Sequence, residues 1–83
     1  MSQWEKLLSR LEKLDAGLRF AELEKILLTY GYIPEETSGG SSHVTFRKKD
    51  RYPVTIPRHV PIGRTYINLV RDVLEEDIKN ERS

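Results

Sequence analysis

The chain has 83 residues, no cysteine and a formal net charge of +1 at pH 7. A chain of this length forms one domain with a small core, and without cysteine it has neither a disulfide framework nor a thiolate metal site. No apolar run approaches the roughly 20 residues of a membrane-spanning helix, and the first residues lack the basic and apolar segments of a secretion signal, so we expect a cytoplasmic protein.

The N-terminal segment has the periodicity of an amphipathic helix. Between Ser2 and Leu14 the apolar residues recur at helical spacing: Trp4, Leu7, Leu8, Leu11 and Leu14. This stripe predicts a helical extension, residues 1–16, that seals onto the domain. A leucine stripe larger than one small core needs would also allow a homodimer contact through this helix.

Residues 20–30 predict a second helix, again from the spacing of apolar residues, and Gly31 is a typical C-terminal cap. The spacing of the apolar residues changes after Gly31. Residues 32–37 predict a first strand, and Pro34 places it at a sheet edge because proline cannot donate to a hydrogen-bond ladder. Residues 38–41 predict a turn.

Residues 43–48 and 52–56 alternate apolar and polar side chains on either side of a polar turn, which predicts a hairpin. A last helix is predicted from residue 64 to about 77, and residues 79–83 look frayed. The main domain therefore spans residues 17–78. The order of elements predicts an α+β fold, a two-layer sandwich in which helices cover one face of a three-stranded antiparallel sheet.

The second strand determines which side chains face water. Its alternation sends Val44 and Phe46 into the core, so that His43, Thr45 and Arg47 lie together on the other face. A register slip of one residue would reverse this arrangement and bury the histidine.

Positive charge is concentrated in the middle of the chain. Residues 40–64 carry six basic residues against one acidic residue, a balance of +5, whereas each flank sums to −2. Such a stretch indicates either a surface for a phosphate backbone or a solvated hairpin turn with protruding lysines.

Four segments carry a family resemblance by their order and spacing: residues 23–32, which end in Tyr-Gly-Tyr; 40–46, Gly-Ser-Ser-His-Val-Thr-Phe; 54–59, Val-Thr-Ile-Pro-Arg-His; and 66–70, Tyr-Ile-Asn-Leu-Val. Together they resemble the HicA family of bacterial toxin–antitoxin systems. The family often reads Gly-Ser-His without interruption, whereas this chain has a second serine before the histidine. The N-terminal helix lies outside the minimal family pattern.

The resemblance implies a toxin that is a small ribonuclease, an mRNA interferase, and that a HicB-type antitoxin neutralises. It implies a fold like that of a double-stranded-RNA-binding domain, α-β-β-β-α, here with an extra N-terminal helix. It also implies a catalytic histidine at the start of the second strand, and in this chain that residue is His43.

The chemistry of RNA cleavage fits these residue types. RNA supplies its own nucleophile, the 2′-hydroxyl, so cleavage needs a base, an acid and donors to the phosphate. Histidine has an ordinary pKa of about 6.5 and suits either proton-transfer role, which we predict for His43. The side chains predicted to bind substrate are Ser42, Thr45, Arg47, Lys48 and Lys49.

The sequence allows three roles for His59. It could be the complementary acid, a contact to RNA, or a polar residue that ends the third strand after Pro57. We include it among the candidate substrate-binding residues.

The sequence predicts no metal site and no cofactor. Most acidic residues lie on the predicted helices, and the two histidines stand sixteen positions apart without cysteine nearby. We therefore expect metal-independent cleavage. Two other functions remain open: a non-catalytic RNA-binding module that uses the same basic sheet face, and an interaction protein whose exposed helix engages a partner.

Overall fold

The computed structural model describes residues 2–36, 42–59 and 61–82. Its elements follow in the order α1 (Gln3–Glu12), α2 (Phe20–Thr29), β1 (Ile33–Glu36), β2 (His43–Arg47), β3 (Val54–Pro57) and α3 (Arg64–Arg82). Within these residues the fold is α+β, with three helices and one three-stranded antiparallel sheet, and this confirms the predicted class. The turn predicted at residues 38–41 lies outside the described residues.

The central strand of the sheet is β2, which pairs antiparallel with β1 on one side and with β3 on the other. In the register, Thr45 lies opposite Glu35 of β1 and opposite Thr55 of β3. Pro34 therefore lies in an edge strand, as its missing N–H predicted.

The predicted pleat of β2 is confirmed. From His43 to Arg47 the side chains are in turn half-buried, buried, half-buried, buried and exposed. Val44 and Phe46 are at most 1% exposed and join the core, so the alternate residues of the strand belong to the opposite face of the sheet. The core side of the sheet also contains Val54 and Ile56 of β3.

The end of α2 is fixed by a glycine, as predicted. Gly31 has a φ of +93°, a conformation that costs other residues roughly 1–2 kcal/mol. Its N–H donates to the carbonyl of Leu28, and the N–H of Tyr32 donates to the carbonyl of Leu27, both at 3.0 Å. These two bonds form a Schellman motif, which turns the chain from the helix into β1.

Helix α1 packs onto the rest of the chain. Ser2 caps its start by accepting a 3.1 Å hydrogen bond from the N–H of Glu5. Leu7, Leu8 and Leu11 are buried in the same core as the sheet residues. These three leucines therefore belong to the core of the chain, and a homodimer contact through this helix stays a prediction.

Helix α3 continues beyond its predicted end near Asp77 and is regular as far as Arg82. The described part of the expected frayed tail, residues 79–82, is thus helical. One reason is that Ile78 extends the buried stripe and is 7% exposed. Another is that Glu81 accepts hydrogen bonds from Trp4 and Tyr30. None of the helices in the described part of the chain is long and apolar enough to cross a membrane.

Candidate active site and nucleic-acid interface

The face of the sheet opposite the core carries the candidate site. We call this surface the open face and define it by six side chains that share one side of the pleat: Ile33, Glu35, His43, Thr45, Arg47 and Thr55. All six are exposed or half-buried. Three of the predicted site residues, His43, Thr45 and Arg47, therefore lie on one surface.

The structure brings the two histidines of the chain together at one end of the open face. Pairing continues beyond the end of β3, because the N–H of Arg58 donates to the carbonyl of Ser42 at 2.8 Å. The next residue, His59, lies beside His43. The two ring centroids are 6.5 Å apart, with planes at 87°. Both residues were predicted site residues, but their sequence separation did not indicate this proximity.

The hydrogen bonds of His59 determine which ring nitrogen carries its proton. Nδ1 of His59 is 3.2 Å from the carbonyl oxygen of Pro61. Because a carbonyl oxygen can only accept, Nδ1 must be the protonated nitrogen, and Nε2 is the one that can exchange a proton with a ligand. For His43, the Ser42 hydroxyl lies 3.5 Å from Nδ1, at the long limit of a hydrogen bond.

The centre of the open face is polar. The hydroxyls of Thr45 and Thr55 are 2.9 Å apart across the two strands and share a hydrogen bond. Further along, Nε of Arg47 donates to the Glu35 carboxylate at 2.9 Å, and both side chains are about 60% exposed. An ion pair this exposed contributes about 0–1 kcal/mol, so Arg47 remains able to bind another anion.

A groove beside the turn between β2 and β3 is lined by positively charged side chains. We call it the basic groove and define it by its four cationic side chains: Arg47, Lys48, Lys49 and Arg51. It begins four residues along β2 from His43, a distance of about 14 Å at about 3.4 Å per residue. Cations and imidazole thus lie at opposite ends of one short strand.

Two of these cations are bound within the protein. Nζ of Lys48 donates to the carbonyl of Tyr30 at 2.7 Å and lies 3.5 Å from Oδ1 of Asp77. Nη2 of Arg51 lies 3.4 Å from the same carboxylate oxygen. Lys48, a predicted substrate ligand, therefore connects β2 to α2 and α3. Its neighbour Lys49 is exposed and has no ion pair in the described part of the chain.

A tyrosine is buried below the ammonium of Lys48. The Tyr32 side chain is 1% exposed, and neither its hydroxyl nor Oδ2 of Asp77 has a hydrogen-bond partner among the described residues. Burial, together with the charge of Asp77, raises the pKa of Tyr32. A signal for Asp77 existed in the sequence, since it follows Leu74 by three positions and so lies next to the apolar stripe of the last helix.

In the described ranges, no three histidine, aspartate or glutamate side chains converge as a metal site would require. Gly40 and Ser41 of the predicted motif fall outside those ranges. Comparison of the chain with models of protein families, with curated proteins and with solved structures found no match.

Proposed function

We propose that this protein is a HicA-type toxin: a cytoplasmic, metal-independent endoribonuclease that cleaves mRNA and is neutralised by a HicB-type antitoxin. One observation carries the proposal. The ring of His43 shares the open face with Thr45 and Arg47, while Val44 and Phe46 of the same strand pack into the core.

The arrangement of elements supports the proposal. From α2 to α3 the order is α-β-β-β-α, that of a double-stranded-RNA-binding-domain-like fold, and α1 is the extra helix. Helix α2 contacts β1 and helix α3 contacts β3, which fits a two-layer sandwich with one sheet face left for RNA. The likeness in order supports the family assignment together with the sequence motifs.

The chemistry follows from the side chains of the open face. The imidazole of His43 exchanges a proton with the RNA, a role that contributes on the order of 10²–10⁴-fold to a rate. Arg47 and Lys49 offer charge-assisted hydrogen bonds to phosphate oxygens, and the Thr45 hydroxyl offers a neutral one. The 2′-hydroxyl of the substrate is the nucleophile, so these groups need no cofactor.

A second function follows from the basic groove taken alone. Cationic side chains beside an exposed sheet face would suit a non-catalytic RNA-binding module equally well. The two functions differ in the need for an imidazole, because binding depends on the cations and cleavage on proton transfer.

Replacement of His43 by alanine tests the proposal. Purified protein is incubated with end-labelled mRNA in EDTA, and cleavage is followed on gels while RNA binding is measured by fluorescence anisotropy. We expect the wild type to cleave in EDTA. We expect His43→Ala to lose at least about 100-fold in rate while it binds RNA with unchanged affinity.

The matched control is Lys25→Ala, which removes an exposed side chain from α2 and should leave both measurements unchanged. Equal cleavage by wild type and His43→Ala would contradict the proposal. Binding without any cleavage by the wild type would favour the RNA-binding module. Induced expression in a bacterium extends the test to toxicity: growth arrest and transcript loss should occur with the wild type and not with His43→Ala.

A further inference from the structure

The two imidazoles at the end of the open face are arranged as a pair. With ring centroids 6.5 Å apart, both can reach one phosphate through hydrogen bonds of about 3 Å. In a displacement at phosphorus the attacking and leaving oxygens lie roughly in line, on opposite sides of the phosphorus atom. One side chain cannot serve both oxygens at once, whereas two rings approaching from different directions can.

Contacts of Arg58, the residue before His59, hold the segment of the second imidazole in place. The 2.8 Å hydrogen bond from Arg58 N–H to the Ser42 carbonyl links the residues just before His43 and His59. The guanidinium of Arg58 lies 5.5 Å from the centroid of the Phe20 ring, which in turn lies 6.1 Å from that of Phe46 in the core. The segment that carries His59 is thus attached to the core through Arg58.

The tautomer of His59 suits a proton donor. Because Nδ1 donates to the Pro61 carbonyl at 3.2 Å, the proton that His59 gains or loses is carried by Nε2.

We infer that His59 is a second catalytic residue, the general acid that complements His43 as general base, an inference that rests on the proposed ribonuclease function. Neutral His43 takes the proton of the 2′-hydroxyl while the 2′-oxygen forms its bond to phosphorus. The bond from phosphorus to the 5′-oxygen of the next nucleotide breaks, and protonated His59 gives that oxygen its proton. The products are a 2′,3′-cyclic phosphate and a free 5′-hydroxyl.

A substrate with a sulfur leaving group separates the two roles. The probe is an oligodeoxynucleotide with a single ribonucleotide, so that one linkage can be cleaved, made in two forms that carry oxygen or sulfur at the bridging 5′ position. A thiolate leaves without protonation because an ordinary thiol has a pKa of about 8.5, whereas an alkoxide needs a proton. Loss of the acid should therefore slow only the oxygen substrate.

We expect His59→Ala and His59→Gln to cleave the oxygen substrate on the order of 10²–10⁴-fold more slowly than the wild type, and the sulfur substrate at nearly the wild-type rate. His43→Ala should be slow on both. The glutamine variant keeps an amide that can donate to the Pro61 carbonyl. If the alanine variant were slow only because local packing is lost, the glutamine variant would cleave faster than the alanine variant. Mass spectrometry should find the 5′ product lighter by one water than a linear 3′-phosphate.

The inference is overturned if the two His59 variants are equally slow on both substrates, if they match the wild type on both, or if sulfur rescues His43→Ala instead. These results differ from failure of the proposed function, in which the wild type itself cleaves neither the oligonucleotide probes nor mRNA.

Discussion

The ammonium of Lys48 donates a 2.7 Å hydrogen bond to the backbone carbonyl of Tyr30 at the C-terminal end of α2. Nζ of the same side chain lies 3.5 Å from Asp77 of α3, whose side chain is 12% exposed. A cation from the end of β2 thereby satisfies a helix carbonyl and a largely buried carboxylate. This makes it a stabilising residue of the fold, although it lies in the basic groove.

We predict that Lys48→Met lowers the free energy of unfolding by about 1–3 kcal/mol, because the acceptors that it leaves lose a charged donor. Lys49→Met is the matched control and should change stability by less than about 0.5 kcal/mol, since its side chain is exposed. Urea denaturation followed by circular dichroism measures both. Equal losses in the two variants would show that the bonds of Lys48 contribute little.

A second prediction concerns the buried hydroxyl of Tyr32. The folded-state pKa of Tyr32 is raised, so the folded protein favours the neutral hydroxyl. The stability that depends on this neutral form is fully present below the ordinary tyrosine pKa of about 10. It is lost as the pH rises from there toward the folded-state pKa. Tyr32→Phe removes a hydroxyl without a hydrogen-bond partner among the described residues. We expect unchanged or higher stability at pH 7 and a shallower loss above about pH 10.

Tyr52→Phe serves as the control for Tyr32→Phe, because that ring is 84% exposed and its hydroxyl should affect neither measurement. Urea unfolding at pH 7 and at several values above pH 10 gives the comparison. If Tyr32→Phe lost more than about 1 kcal/mol at neutral pH, the hydroxyl would have to be hydrogen-bonded in solution.

The sequence predicted the sheet well because side chains alternate between the two faces of a strand, which leaves only two choices for the buried face. Val44 and Phe46 in alternation determined which face of β2 is buried, and the same rule left His43 on the open face. That rule also assigns Lys48 to the core side, two positions after Phe46. The alternation was thus a usable signal for its structural role, and the basic character of the surrounding segment obscured it.

Contacts between distant segments were beyond prediction. Lys48 and Lys49 have the same chemistry, and only the position of Asp77, 29 residues after Lys48, distinguishes their roles. The two histidines come together because strand pairing continues beyond β3 to Arg58, and no local sequence pattern predicts such an extension. The end of α3 was missed for the same reason, as Glu81 contacts residues 51 and 77 positions earlier.

The last turn of α3 can be tested through Trp4, the single tryptophan of the chain. Glu81 accepts a 3.4 Å hydrogen bond from the indole N–H of Trp4 and another from the Tyr30 hydroxyl. We expect Glu81→Ala to lower the free energy of unfolding by about 0.5–1.5 kcal/mol and to change the tryptophan fluorescence spectrum. Glu75→Ala, an exposed change on the same helix, should alter neither. Identical spectra for wild type and Glu81→Ala would contradict the contact.

The ion pair on the open face leads to a prediction about RNA affinity. Glu35 lies 2.9 Å from Arg47 and competes with phosphate for its guanidinium. We expect Glu35→Gln to strengthen RNA binding, because it removes a repulsive charge and frees the arginine. Arg47→Gln should weaken binding and reduce the slope of log K against log salt by about 0.7, the contribution of one phosphate contact to a single strand.

These affinities are measured by anisotropy in the His43→Ala background, where the RNA stays intact, at several salt concentrations. Glu5→Gln and Lys25→Gln carry the same charge changes on exposed positions of α1 and α2, away from the open face. If binding responds to the local field of the open face, the two site variants will shift affinity and salt slope more than their charge-matched controls. Shifts of equal size in each pair would mean that only the net charge of the protein matters, and RNA would then have no preferred path across this sheet.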